Sequence, residues 1–365
     1  MTKTRILVAE DSTTVRKRLV EVLAGDPEVE IVGEAEDGKR AIELCRECRP
    51  HLITMDMMMP VMSGLAATEY IMAHMPTPIL VVSASINRGE LFKIYDALAA
   101  GAVDVLEKPN GHEPEDGWEQ RLRKTAKLVA KIRVITHPRA RLERLRRPSL
   151  SAPPECGSSH PARSRGGFAV LAIGASTGGP AAIVEILRAL PPAFETPILV
   201  VQHINEPFGT AFAEWLGVQI GRRSLKVEDD MPVSSAHGRV VVAPAGRHLL
   251  VRDGRIRLTS DPERHSCRPA IDVLFESVAT EYGGSAAACL LTGMGRDGAL
   301  GLRRIREAGG LTIAQDEATS VVYGMPREAA LLGAAAHVLG IGEIAPRLAW
   351  LQRTAMLRIT TGVPL

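Results

Sequence analysis

Hydrophobic runs and the residues that break them divide the chain into short strands and helices. The sharpest run is Ala169-Val-Leu-Ala-Ile-Gly174, which gives way to Ala175, Ser176, Thr177, two glycines and Pro180. This order predicts a buried strand, a sharp turn, and a helix entered through Gly178, Gly179 and Pro180 and running to about Leu190. Upstream of it, apolar runs predict strands over Arg5–Ala9, Glu30–Glu34, His51–Met55, Pro78–Val82 and Val103–Leu106. Helices are predicted from a Ser12 cap to about Ala24, over Gly38–Cys48, and after Gly64. Downstream, strands are predicted at Pro197–Gln202, Gly238–Ala243, Ala286–Leu291 and Leu311–Gln315. Arg247–Val251 and Arg255–Thr259 read as a hairpin turning through Asp253-Gly254. Helices are expected from about Pro207 to Gly217, from Pro269 to Tyr282, and from the segment after Asp297 to about Ala308.

Strands alternating with helices predict parallel sheets with helices on both faces, in which ligands bind outside the carboxyl ends of the strands. In the first domain those ends carry Glu10, Asp11, Asp56, Ser83 and Lys108. Three carboxylates in one crevice repel one another unless a cation joins them, and an all-oxygen donor set suits Mg2+. Lys108 offers a charge for a phosphoryl oxygen and Ser83 a hydroxyl donor. The set therefore reads as an aspartyl-phosphate site in which the Asp56 carboxylate attacks a phosphoryl group.

These residues, with Met57-Met58-Met59-Pro60 and Gly64 after Asp56, Ala84 after Ser83 and Pro109 after Lys108, resemble the receiver domain of two-component response regulators. The resemblance implies a flavodoxin-like, doubly wound, five-stranded parallel sheet. It also implies phosphorylation of Asp56 by a histidine kinase, with Mg2+ held by Asp11, Asp56 and the Met58 backbone carbonyl and assisted by Glu10. One position departs from the pattern. Val105, three residues before Lys108, stands where many receivers carry an aromatic switch residue.

Residues 133–165 change in character, with eight Arg, five Pro and only two Glu. Such a composition buries no core and reads as a solvated tether. Part of it, Arg139 to Arg147, is open to a second reading, a short basic helix that meets an acidic partner or nucleic acid. No helix-turn-helix or zinc-finger pattern accompanies it.

In the second half, Ser176, His203 and Asp297 each stand just beyond a predicted strand. Ser176 at a tight strand–turn–helix joint suits a nucleophile, although such joints also cradle phosphates. His203 taken alone reads as a strand-end histidine, and Asp297 as a helix N-cap. Together they supply a hydroxyl, a base for it and a carboxylate for the base, and the topology is able to gather them at one edge of the sheet. Ile173-Gly-Ala-Ser176-Thr-Gly-Gly, Gln202-His203, Arg268-Pro-Ala-Ile-Asp272 and Thr292-Gly-Met-Gly-Arg-Asp297-Gly resemble, in sequence and order, the catalytic domain of the chemotaxis protein-glutamate methylesterases, the CheB family.

That resemblance implies a Rossmann-like α/β methylesterase domain with a β-hairpin insertion, and three parts to the chain: a receiver over 1–130, a linker over 131–166 and a catalytic domain over 167–360. It implies Ser176 as nucleophile, His203 as general base and acid, Asp297 as its orienting partner, and the Met294 backbone N–H in the oxyanion hole. The substrate it implies is a γ-glutamyl methyl ester on the cytoplasmic domain of a chemoreceptor, with deamidation of receptor Gln as a second reaction of the same residues. It further implies a histidine kinase of the CheA type as phosphodonor, and ester chemistry that needs no cofactor. We expect the unphosphorylated receiver to cover the mouth around Ser176, His203 and Met294. Arg296 stands where a small or amide residue is expected. Arg268 reads either as a contact for an acidic receptor or as a donor to backbone.

Composition narrows the field. The chain has 365 residues, 45% of them hydrophobic and only 4% aromatic, enough for two aliphatic cores. A net charge of +2 gives no nucleic-acid signature. Five scattered cysteines fit a reducing compartment, and Cys45 and Cys48 lack the second pair that a structural zinc site wants. No signal-peptide pattern or membrane-spanning run is present, so a cytoplasmic location without membrane insertion is expected. A receptor-docking module without catalysis is the alternative class, and it has no need of Ser176, His203 and Asp297 together. A DNA-binding regulator is disfavoured by the charge and by the missing recognition helix.

Overall fold

In the computed structural model, residues 3–84, 87–108, 115–132, 134, 167–204, 208–221, 224–225 and 227–361 are described. Nearly all of the linker, the basic Arg139–Arg147 segment, Pro109 and Pro207 lie outside them. The chain divides into two compact units.

The first unit alternates strand and helix throughout. Its elements are β1 (Thr4–Ala9), α1 (Thr13–Ala24), β2 (Val29–Ala35), α2 (Gly38–Cys48), β3 (Leu52–Met55), α3 (Gly64–His74), β4 (Ile79–Ser83), α4 (Arg88–Ala99), β5 (Asp104–Glu107) and α5 (Glu115–Val129). Ser12 caps α1 by accepting from the Val15 amide, as its sequence position predicts. The strands pair in the order β2-β1-β3-β4-β5, and every pairing is parallel. The strand order reverses between β1 and β3, the place where such sheets open a crevice. Ile6, Leu7, Val8, Leu52, Ile53, Leu80 and Val81 are fully buried, as a sheet covered on both faces requires.

The second unit is built on a seven-stranded parallel sheet. Its strands are β6 (Val170–Ala175), β7 (Ile198–Gln202), β8 (Ser224–Leu225), β10 (Val240–Val242), β13 (Ala286–Leu290), β14 (Leu311–Gln315) and β15 (His337–Leu339), in the order β15-β14-β13-β6-β7-β10-β8. From β6 the chain first adds strands on one side and then, from β13 onward, on the other. The reversal therefore falls at β6, the middle of the sheet. Helices α6 (Gly179–Ala189), α7 (Gly209–Ile220), α8 (Ile271–Tyr282), α9 (Ala299–Glu307), α10 (Met325–Leu331) and α11 (Ile341–Thr361) follow in chain order.

The predicted hairpin is present as β11 (His248–Arg252) and β12 (Arg255–Thr259), paired antiparallel and joined by Asp253 (φ 53°) and Gly254 (φ 67°). It is one strand larger than the sequence suggests, because β9 (Met231–Pro232) adds to β12. Two glutamate oxygens of Glu281 accept the Asp253 and Gly254 amides (3.0 and 2.7 Å), tying the turn to α8. Among the described residues no helix is long and apolar enough to cross a membrane.

Candidate active site

Strands β6 and β7 pair with Ala175 opposite Gln202, and the His203 amide donates to the Ala175 carbonyl (3.0 Å). Ser176 and His203 are thus the next residues out of neighbouring strands, at the carboxyl end of the central pair. Gln202 fastens them together. Its Nε2 donates to the carbonyl of Ser176 (2.8 Å) and to that of His203 (3.0 Å). Those two acceptors fix the orientation of the amide, since a flipped group would set its oxygen against two carbonyls. The Ser176 amide donates to the Thr292 carbonyl beyond β13 (3.0 Å). A Cβ at Gly293 would stand 2.6 Å from the Ser176 Cβ, so only glycine lets the two turns meet. Gly178, at φ +78°, turns the chain into α6.

Asp297 is reached through the turn after β13 and is buried. Its Oδ2 lies 2.9 Å from His203 Nε2. The carboxylate also accepts the amides of Ile271 (2.7 Å), Asp272 (3.0 Å) and Gly298 (3.0 Å). Burial alone would raise its pKa, but the His203 ring and these amides outweigh burial and hold it below the usual carboxylate range. An ionised Asp297 only accepts, so in the neutral ring Nε2 carries the hydrogen and Nδ1 keeps the lone pair. Burial would lower the His203 pKa. The Asp297 carboxylate and the Cys267 sulfur overcome it, and the value is raised to about 9.

Met294 is 44% exposed beside this cluster, and among the described residues its N–H has no hydrogen-bond partner. The amide two residues past Thr292 is thus free to hold an oxyanion. Arg296 is exposed, next to the buried Asp297. Arg268 donates from Nη1 to the carbonyls of Ser260 (3.3 Å) and Asp261 (3.2 Å), a backbone-donor role. His248 is buried, accepts the Ala270 amide at Nδ1 (3.1 Å) and sits 3.2 Å from the Pro262 carbonyl at Nε2, a structural tie.

Two neighbours have places that the motifs did not reveal, Cys267 just outside a motif and Asp272 at the end of one. Cys267 places its sulfur 3.7 Å from His203 Nδ1. It ends a tight turn in which Arg264 and Cys267 exchange both backbone hydrogen bonds and His265 and Ser266 have φ of 54° and 59°. Its sequence neighbours Arg268 to Asp272 are a recognisable motif, but nothing local ties it to a histidine 64 residues earlier. Asp272, fully buried, accepts the Gly301 amide (2.7 Å) and lies 3.0 Å from His265 Nε2. Burial, the largest influence, keeps its carboxyl above the usual range.

In the first unit the same construction recurs. Ala9 pairs with Met55, and the Asp56 amide donates to the Ala9 carbonyl (3.0 Å), so Glu10 and Asp56 are the next residues out of neighbouring strands. Lys108 Nζ lies 2.8 Å from Glu10 Oε2 and 3.2 Å from Asp56 Oδ1. Ser83 is buried, and its carbonyl accepts the Lys108 amide (3.0 Å). Burial pushes both Glu10 and Asp56 above the usual carboxylate range, with Lys108 offsetting part of it. Burial acts downward on Lys108, but the two carboxylates hold its pKa above the ordinary lysine value. Oxygens of Glu10, Asp11 and Asp56 lie within 4.8 Å of one another. One lysine against three carboxylates leaves the crevice negative, and the all-oxygen set fits a hard divalent cation such as Mg2+. Val105, at the departing position, is half-buried on β5.

The comparisons with known proteins match both units. Residues 171–348 match the family described as CheB methylesterase, and residues 6–114 the response regulator receiver domain. A protein-glutamate methylesterase/protein-glutamine glutaminase 2 of Anaeromyxobacter dehalogenans is 42% identical over 349 residues, covering 96% of this chain and 97% of its own. A protein-glutamate methylesterase/protein-glutamine glutaminase 4 of Myxococcus xanthus is 44% identical, covering 94% and 96%. Among solved structures, the catalytic domain of the Thermotoga maritima CheB methylesterase is 34% identical, covering 50% of this chain and 98% of that one with a TM-score of 0.48. With such identity along nearly its whole length, the chain belongs to the CheB methylesterase family and carries that family's enzyme behind a response regulator receiver domain.

Proposed function

We propose that this protein is a phosphorylation-activated, cytoplasmic protein-glutamate methylesterase that also deamidates glutamine, acting on the cytoplasmic domain of chemoreceptors. The observation that carries the reading is the 2.9 Å pair of His203 Nε2 with the buried Asp297, set one strand from Ser176. The Ser176 Oγ attacks the γ-carbonyl carbon of the glutamyl ester while its proton passes to His203 Nδ1. The Met294 N–H holds the oxyanion. The C–O bond to methoxide then breaks, Nδ1 returns the proton, and methanol leaves behind an acyl-Ser176. Water repeats the sequence and releases Glu. With a Gln substrate the leaving group is ammonia and the residues act alike. Asp297 orients the ring and balances the imidazolium.

The receiver, 1–130, takes a phosphoryl group on Asp56 from a CheA-type histidine kinase, and a linker over 131–166 joins it to the catalytic domain over 167–360. Mg2+, when held by Asp11, Asp56 and the Met58 carbonyl with Glu10 assisting, neutralises phosphoryl charge. Lys108 and Ser83 meet the remaining phosphoryl oxygens.

Methanol release from a methylated receptor fragment tests the whole reading. The wild type is expected to release methanol faster with a small phosphodonor and Mg2+, and Ser176→Ala to release none under either condition. Persistent release from Ser176→Ala would overturn the nucleophile assignment. No release from the wild type on a competent substrate would favour the receptor-docking module.

A further inference from the structure

We propose that Cys267 and His203 form a binding site for a thiophilic divalent cation, zinc in the first instance, and that zinc bound there switches off the base of the esterase.

The hydrolytic reaction has no use for a sulfur at His203 Nδ1, yet Cys267 Sγ lies 3.7 Å from that atom. In a tetrahedral site with Zn–S of about 2.3 Å and Zn–N of about 2.0–2.1 Å, the sulfur and nitrogen stand about 3.5 Å apart. The pair already has nearly that separation. The other side of the ring meets a second requirement. A metal-bound imidazole commonly gives its remaining N–H to a carboxylate, which fixes the tautomer and raises the basicity of the ligating nitrogen. His203 has this partner in Asp297 at 2.9 Å, and Asp297 is itself held by three backbone amides. One donor atom each of His203, Cys267 and Asp297 lies within 4.8 Å of the others. Asp297 stays on Nε2 as the outer partner, while Nδ1 and Sγ take the metal. Further positions go to water.

Binding replaces the thiol proton and, where the ring is protonated, the Nδ1 proton with the metal, and releases them to solvent. Nδ1 is then occupied and accepts nothing from Ser176. The sulfur and imidazole select a borderline-soft cation such as zinc over Mg2+, which the oxygen crevice of the receiver favours. Metal binding stands on the geometry alone, whereas the inhibition rests on His203 being the base.

The test uses the full-length chain in excess Mg2+, which fills the oxygen site, with Co2+ as a spectroscopic stand-in for zinc. A near-ultraviolet thiolate-to-cobalt band is expected in the wild type. It should disappear in Cys267→Ala and Cys267→Ser, weaken in His203→Gln, and be bleached by added Zn2+. It should survive in a Cys45→Ser/Cys48→Ser double variant. A wild type without the band, or a band that outlasts both Cys267 variants when their circular dichroism matches the wild type, would overturn the site. In the methanol assay, the zinc concentration for half-inhibition should rise by at least about tenfold in Cys267→Ser relative to that variant's own zinc-free rate. Equal sensitivity in the two proteins would refute the inhibitory role. A chain that shows the cobalt band but releases no methanol would instead count against the esterase reading.

Discussion

At the scale of single residues, Gln202 and His203 decide how the site behaves. Gln202 holds the carbonyls of Ser176 and His203 with one NH2 group. Gln202→Ala should lower kcat by ~10–100-fold through a small misplacement of Ser176 against His203, with KM little changed. The same substitution should cost ~1–3 kcal/mol of stability, since the His203 carbonyl loses its side-chain donor and the Ser176 carbonyl keeps only the Gly179 amide. A kcat within a factor of two of wild type would refute the clamp. His203, faced by Asp297 and Cys267, has a pKa raised to about 9, so the ring is mainly protonated at neutral pH and is a base only above that value. The logarithm of kcat/KM should therefore climb with a slope of about one per pH unit up to about pH 9, and Cys267→Ala should move the bend to lower pH. A flat profile between pH 6 and 9 would contradict this. Ser176, His203 and Asp297 were legible in the sequence because each follows a strand and sits in a motif. Cys267 was not, because its partner is set by a loop without periodicity. Which imidazole nitrogen meets Asp297 was also beyond the sequence.

At the scale of elements, Asp297 joins a turn to a helix. The residue before α8 is Ala270, which has no side-chain cap, and Asp297 takes over by accepting the first two amides of the helix from 25 and 26 residues away. Asp297→Asn should thus do double damage. It should cost ~1–3 kcal/mol, because Asn has one acceptor oxygen where Asp297 uses both against the Ile271 and Asp272 amides, and lower kcat by ~10^4-fold by leaving the ring without its charged partner. Thermal unfolding and methanol release on one preparation separate the two, and an unchanged melting temperature would deny Asp297 its place at the helix. Most core strands were readable from their apolar runs, and the hairpin from Asp253-Gly254. The strands that escaped are short: β8 and β9 have two residues each and β15 three, too few to show alternation. Helix α10 escaped for a similar reason, with seven residues and a proline in its first turn. The hairpin insertion also has a positional effect, because the segment leaving β12 is the one that brings Cys267 to His203.

At the scale of the whole molecule, two different chemistries rest on one construction. In each sheet the residue proposed to react is the first one past a paired position, Ala9 with Met55 in one and Ala175 with Gln202 in the other. The sequence made both sheets visible, since strand ends rich in polar residues are easy to find. How the receiver governs the esterase was not legible in this way, because neither part carries a pattern that refers to the other. Removing residues 1–160 should raise basal methanol release and abolish the response to a phosphodonor. A truncated chain slower than the intact one would rule out inhibition by the receiver. The shared duty of Asp297 reaches further. Its pKa is lowered in the folded protein, so its stabilising effect is present above the ordinary carboxylate range and fades as pH falls through the depressed value. The imidazole takes its own proton near pH 9, far above that depressed value, so falling pH first idles the histidine while the start of the core helix is still tied. Only a second proton, on the carboxylate itself, unties that helix, and acid therefore takes this enzyme through an idle but intact form before it loosens.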